Sequence, residues 1–236
     1  MNLTIEQRMN NDRRRWGTLL LAMAWIFTLS VATPARAHPH MWIDGQVQFG
    51  FNAEGQVTGI TQTWVFDEMF SSYAKQGLPL QEDGSPDPAE LEKIGQTWIE
   101  ALADPMSHYF TTIRWRGQDV PVGPAQRVHV GWDTNTDQMS LSFELPMLED
   151  LSLNDQALTV SVADPTFFVA YSFDKPDAIE LLAAPSYCQA TYQPPKPLDR
   201  QTAQRLAAIP ADVAELPDDL MAITQTLQHR VVLSCP

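Results

Sequence analysis

Two histidines separated by one proline, His38 and His40, are the residues of this chain best placed to do chemistry. They stand in ARAHPHMWID, residues 35–44, and the whole chain has only five histidines, so a pair within three positions asks for a cause. If the chain is cut after Ala37, His38 becomes the first residue. Its free α-amine, with a pKa of about 7.7–8, can then chelate a metal together with its own imidazole. His40 lies two positions along an extended segment, so its ring leaves on the same face. Pro39 has no N–H to deprotonate, which argues against the amino-terminal X-X-His square-planar copper or nickel motif. Two imidazoles and an amine remain, nitrogen donors that suit Zn²⁺ and also Cu²⁺ or Ni²⁺.

Asp44 shares that face but lies roughly 13 Å along the strand. Oxygen donors would therefore come from Asp67, Glu68, Asp164 or Asp174, with His129 as a further nitrogen. Each has a plain structural alternative: His38 and His40 as ordinary strand residues, Asp67 as a helix cap, Asp164 as a turn residue before Pro165, Asp174 as a solvated strand end. The isolated His108 and His229 read as structural. Five tryptophans after residue 37 are spread along the chain, which favours core packing over a carbohydrate platform. Ser-His-Asp, P-loop, G-x-G-x-x-G and H-E-x-x-H patterns are all missing, so a non-enzymatic role is expected.

The first 37 residues read as a secretory signal peptide. Arg13, Arg14 and Arg15 precede an uncharged run from Trp16 to Ala32, and Ala35-Arg36-Ala37 offers small residues where a signal peptidase cuts. An uncleaved anchor is the alternative, but the run is short for a spanning helix of roughly 20 residues. Cleavage after Ala37 removes five Arg and two acids. It leaves 10 basic and 27 acidic residues, a formal charge of −17. Such a surface repels nucleic acid and anionic lipid and concentrates cations. Cys188 and Cys235 form an even pair in what would be an oxidising periplasm, so a disulfide is expected. A thiolate metal site is the alternative, though CxxC spacing is lacking.

These residues need a scaffold. From Met41 the pattern has period two, with Met41, Ile43, Val47, Phe49 and Phe51 on one face and His40, Trp42, Asp44, Gln46 and Gln48 on the other. A turn at 52–55 and a second strand to Phe66 complete a hairpin. Two helices follow. Asp67 caps Glu68–Gln76, and Asp87-Pro88-Ala89-Glu90 reads as N-cap, N1 proline and capping-box acid before a stripe of Leu91, Ile94, Trp98 and Leu102. The linker between them, LPLQEDGSPDP, reads as acidic and flexible. Strands are expected at Tyr109–Arg116, Arg127–Asp133, Met139–Leu145, Leu158–Asp164 and Phe167–Phe173. Helices near Asp199–Ala208 and Asp218–Leu227 and a strand around Val231–Leu233 finish the chain. Short connections favour antiparallel neighbours. The expectation is one α+β periplasmic domain over 38–236, mainly an antiparallel sheet or sandwich. It carries a helical insert at about 67–104 and a disulfide-tethered tail at about 186–236.

With those residues in view, the chain resembles a family of exported bacterial proteins whose domain has no established function. Its members are commonly described as periplasmic components of an uncharacterised ABC-type transport system, and some are encoded with a nickel/cobalt-type permease and linked to zinc uptake. The resemblance rests on AHPHMWID, TWVFDEMFSSYA at 63–74, HYFTTI at 108–113, DPTFFVAYSFD at 164–174, and Cys188 with the final LSCP, in family order. It implies a periplasmic zinc-binding accessory to an inner-membrane metal permease, touching the membrane only through that partner. HPH points to His38 and His40, FDE to Asp67 and Glu68, and DPT to Asp164. QEDGSPDPAE departs from the calcium-loop-like stretch of some relatives, having too few correctly spaced oxygens. Two rival readings stand beside this: a copper-holding amino-terminal histidine brace, and a metal-free module whose Phe167, Phe168 and Tyr171 dock on the permease.

Overall fold

A computed structural model describes residues 39–209 and 216–236. The expected signal peptide and His38 lie outside the described residues.

Eleven strands among them form two sheets. The first has the order β5(Gln126–Asp133)–β6(Gln138–Leu151)–β2(Val57–Phe66)–β1(Met41–Phe51)–β8(Val169–Ser172), with β9(Ile179–Leu182) also pairing β1. The second runs β10(Gln189–Gln193)–β11(His229–Ser234)–β7(Leu158–Val162)–β3(Thr111–Trp115)–β4(Gln118–Asp119). The α+β fold with antiparallel-rich sheets is as expected. In β1 the odd positions from Ile43 to Phe51 are buried and Trp42 and Asp44 are not, as the alternation requires.

Inward side chains of both sheets share one apolar core. Phe49, Trp64 and Phe143 of the first meet Ile113, Val160 and Leu233 of the second. One polar side chain crosses it. Gln62 is fully buried, accepts a 2.9 Å bond from the Trp64 indole N–H and donates to the Thr111 hydroxyl, which donates to the Tyr109 carbonyl. With both ends of its amide engaged, Gln62 escapes the penalty for a buried unpaired group.

The local chemistry departs from expectation at several points. β8 and β9 run parallel to β1, pairing with Met41–Asp44 and Val47–Gly50 in turn. The break between them is filled by Phe173, whose ring lies where a Cβ on Gly45 would stand 2.6 Å from its Cζ. The strand expected from Tyr109 begins only at Thr111, because His108, Tyr109 and Phe110 all take left-handed backbone angles. Tyr109 packs on Phe143 and Phe110 on Trp64. Successive strand residues point to opposite faces, so two consecutive aromatics can both serve the core only if the strand gives way.

The helical insert comprises α1(Glu68–Lys75) and α2(Pro88–Leu102). The capping box at α2 does not form: Asp87 caps Ala89, its own N–H goes to the Pro79 carbonyl, and Glu90 pairs with Lys93 instead. The buried line is Leu91, Gly95 and Ile99, shifted one residue from the expected stripe because Gly95 lets the helix approach Val130 of β5. The acidic linker is a defined small hairpin, with Leu80 bridging Pro86 and Asp83 accepting from the Ser85 N–H and hydroxyl. In the tail, α3(Arg200–Ala207) and α4(Asp218–Thr224) contribute Leu206 and Leu220 to a second small core. Cys188 and Cys235 are joined, just beyond the paired ends of β10 and β11.

Candidate functional site

His40 immediately precedes β1. Its backbone N–H donates to the Phe168 carbonyl at 2.8 Å, and its ring stacks on the Phe168 ring with centroids 4.7 Å apart. The next outward residue, Trp42, is half exposed, and Asp44 beyond it pairs with Lys175 at 2.9 Å.

Two carboxylates hold the backbone around this point. Asp67 accepts the Trp42 N–H on Oδ2 at 2.7 Å and the Phe70 N–H on Oδ1 at 2.8 Å, while its own N–H donates to the Trp42 carbonyl. It caps α1 and clamps β1 at once. Asp164 is buried. Its Oδ1 accepts from the Thr166 N–H and hydroxyl, and its Oδ2 from the Val169 N–H at 2.9 Å. This fixes the loop that presents the Phe168 carbonyl to His40. Asp67 and Asp164 thus grip the chain on either flank of the start of β1, one just after β2 and one in the loop before β8. Glu68 begins α1 and is exposed.

Three of the five expected donors, His40, Asp67 and Asp164, therefore share one corner of the first sheet, tied through adjacent backbone amides. Their side chains do not close into a metal shell: among the described residues no three His, Cys, Asp or Glu side chains come together as a metal-holding group. The cap and turn functions set beside the ligand readings of Asp67 and Asp164 are formed. His129 is elsewhere, exposed on β5, in register with Ser142, Thr63 and then Gln46, three strands from β1.

His229 sits apart, at the start of β11. Its Nδ1 lies 2.7 Å from the Tyr192 hydroxyl, and its ring packs against Phe173 and Tyr192. Burial pushes its pKa down to about 4, with the nearby Asp174 charge pulling the other way. The imidazole is neutral at pH 7. Asp174 is exposed, as a strand end should be, and accepts from the Ser172 hydroxyl.

Two features escaped the sequence reading. Met69 and Tyr73, four residues apart on the outer side of α1, are exposed by 65% and 70%. Their helical spacing was the available signal. The second is Tyr171, grouped in the sequence with Phe167 and Phe168. It is buried, and its hydroxyl has no hydrogen-bond partner among the described residues. Its place on the inward face of a short strand was the signal.

The model of a family described as "Protein of unknown function (DUF1007)" matches residues 23–235. An uncharacterized protein of Haemophilus influenzae is 23% identical over 154 residues, covering 65% of this chain and 71% of that protein.

Proposed function

The chain belongs to the DUF1007 family, and from that premise we propose that it is an exported, non-catalytic accessory that holds a divalent cation, zinc first, and exchanges it with an inner-membrane permease. The cation is cargo. The observation that carries this reading is the anchoring of His40, whose backbone and ring are both held by Phe168 in a corner organised by Asp67 and Asp164. The described residues supply one imidazole there. His38, with ring and freed α-amine, would supply two more nitrogens, and Glu68, exposed and next to Asp67, a carboxylate. The disulfide suits an oxidising compartment, and among the described residues no helix is long and apolar enough to cross a membrane. The excess of acids draws cations toward the surface.

Calorimetric titration of the exported protein, with its first residue fixed by mass spectrometry, tests the proposal. Zn²⁺ binding is expected to weaken at least about tenfold in a His38→Ala/His40→Ala double variant, the loss of about 1.4 kcal/mol or more. Equal binding by the two proteins would remove the site. A histidine brace would instead show Cu²⁺ coupled to several nitrogens and displacing Zn²⁺, in line with the Irving–Williams order.

The exposed Trp42, Met69 and Tyr73 favour a second reading, a docking module for the permease that needs no metal. Association with membranes carrying the permease that persists unchanged under chelator would select it.

A further inference from the structure

Between the outer face of the second sheet and the end of α4 lies a cavity of about 460 Å³, inside the range of about 300–1,000 Å³ usual for small-molecule sites. Thr112 and Arg114 of β3 and Ser161 of β7 line it from the sheet, Ser107 and His108 from the turn before β3, and Gln225 from the tail. Thr112 and Ser161 are register partners, so their side chains stand next to each other. The tail is pinned in place. Thr224 is buried, and its hydroxyl donates to the Pro165 carbonyl at 2.7 Å. The cavity is therefore formed before any ligand arrives.

His108 has a left-handed backbone, with φ of 46°, which is disfavoured for a residue with a Cβ. Core packing accounts for the same conformation at Tyr109 and Phe110. It does not account for His108, whose side chain is exposed. Strain of this kind collects where a side chain is held for a ligand.

The charge around the cavity is unlike that of the chain. Acids outnumber bases 29 to 15 overall, yet no Asp or Glu lines this space. Two arginines border it. Arg114 gives its Nε–H to Asp119 at 2.7 Å, which leaves the terminal nitrogens of its guanidinium. Arg230 is in register with Ser161 and donates to the side chain of Gln228, which also lines the cavity. The side chains of Ser107, His108, Thr112, Ser161 and Gln225 make no hydrogen bond among the described residues.

These facts restrict the occupant. A divalent cation finds no carboxylate here. An apolar ligand would take the polar side chains out of water without replacing their hydrogen bonds. Hydroxyl and N–H donors set around a guanidinium match the oxygens of a carboxylate or a phosphate. We propose that the cavity binds a small solute carrying one of these oxyanions, with Arg114 and Arg230 meeting its charge and His108, Thr112 and Ser161 its remaining oxygens.

Citrate and inorganic phosphate are the probes for the two sources of that charge, with glucose as the uncharged control. Each is titrated into the full exported chain, free of metal, at about 0.15 M salt, where exposed charges are screened beyond about 8 Å. Amide NMR signals of His108, Thr112 and Ser161 are expected to shift with at least one anion, and the anion that shifts them identifies the source. Arg114→Gln should weaken binding at least about fivefold, as loss of a charge-assisted contact requires. Lys93→Gln, the same change of charge on α2, should bind as wild type does. Thr112→Asp, at an exposed strand position, should abolish binding while the protein still melts cooperatively. The His38→Ala/His40→Ala variant should bind the anion undiminished, so failure here and failure of the metal reading are separate. The proposal is overturned if neither anion shifts those amides or if glucose shifts them equally. Equal losses in Arg114→Gln and Lys93→Gln, or undiminished binding by Thr112→Asp, would also overturn it.

Discussion

The carboxylate of Asp67 joins the first helix to the first strand: Oδ1 caps Phe70 and Oδ2 accepts the Trp42 N–H, 25 residues earlier in the chain. A cap alone is worth about 1 kcal/mol, and a hydrogen bond to a charged acceptor somewhat more. Asp67→Ala is therefore expected to cost about 2 kcal/mol in urea unfolding, with Asp67→Asn recovering at most about half, because its amide oxygen replaces only one of the two accepting oxygens. Full recovery in Asp67→Asn would mean that the second accepting oxygen contributes nothing.

Asp164 is harder to replace. Removing a buried carboxylate that satisfies two N–H groups and a hydroxyl leaves three donors unmatched. Asp164→Ala should lose about 3 kcal/mol or more. Amide exchange should accelerate at Val169 and, through Phe168, at His40. Protection at His40 unchanged in the variant would show that the loop does not position it.

His229 sets a pH dependence. Its folded pKa of about 4 lies below the ordinary histidine value of 6.5 because burial disfavours the charged ring. The unfolded chain binds more protons between those values, so the contribution is complete above pH 6.5 and is lost as pH falls toward 4. Partial exposure screens the ring, so about 2 kcal/mol is expected. Urea midpoints at pH 7 and pH 5, compared between wild type and His229→Gln, isolate it: the variant should lose less stability on acidification.

Reduction of the Cys188–Cys235 bond, which spans 47 residues, releases the tail. The Cys188→Ser/Cys235→Ser variant should unfold about 4 kcal/mol more easily in the chain-entropy model. Because β11 is an inner strand, exchange protection should fall across β7 and β10 as well as at the bond itself.

Gly45→Ala should be destabilised by about 1–3 kcal/mol, since its methyl would stand 2.6 Å from the Phe173 ring inside a packed core. Differential scanning calorimetry reads this directly.

The sequence disclosed what period and capping encode. The alternation of β1 put His40, Trp42 and Asp44 on one face, and Asp67 and Asp87 cap the helices placed after them. Parallel pairing of β8 and β9 with β1 was not legible, because it joins segments more than 120 residues apart and no local turn announces it. Nor could spacing reveal that Asp67 reaches back to Trp42. The double duty of that carboxylate arises only when β2 has paired with β1. Tyr171 was misgrouped for the same reason: which side of a four-residue strand faces inward depends on its neighbour, and that neighbour is distant.

β11 follows every strand it joins, yet it lies between β10 and β7 in the second sheet. During synthesis that sheet has a gap until residues 229–234 emerge, although domains tend to fold from the amino terminus as they are made. The gap leaves two sticky margins open to foreign strands if translation stops early. A chain stopped before His229 would thus leave the facing edges of β7 and β10 without the strand that joins them.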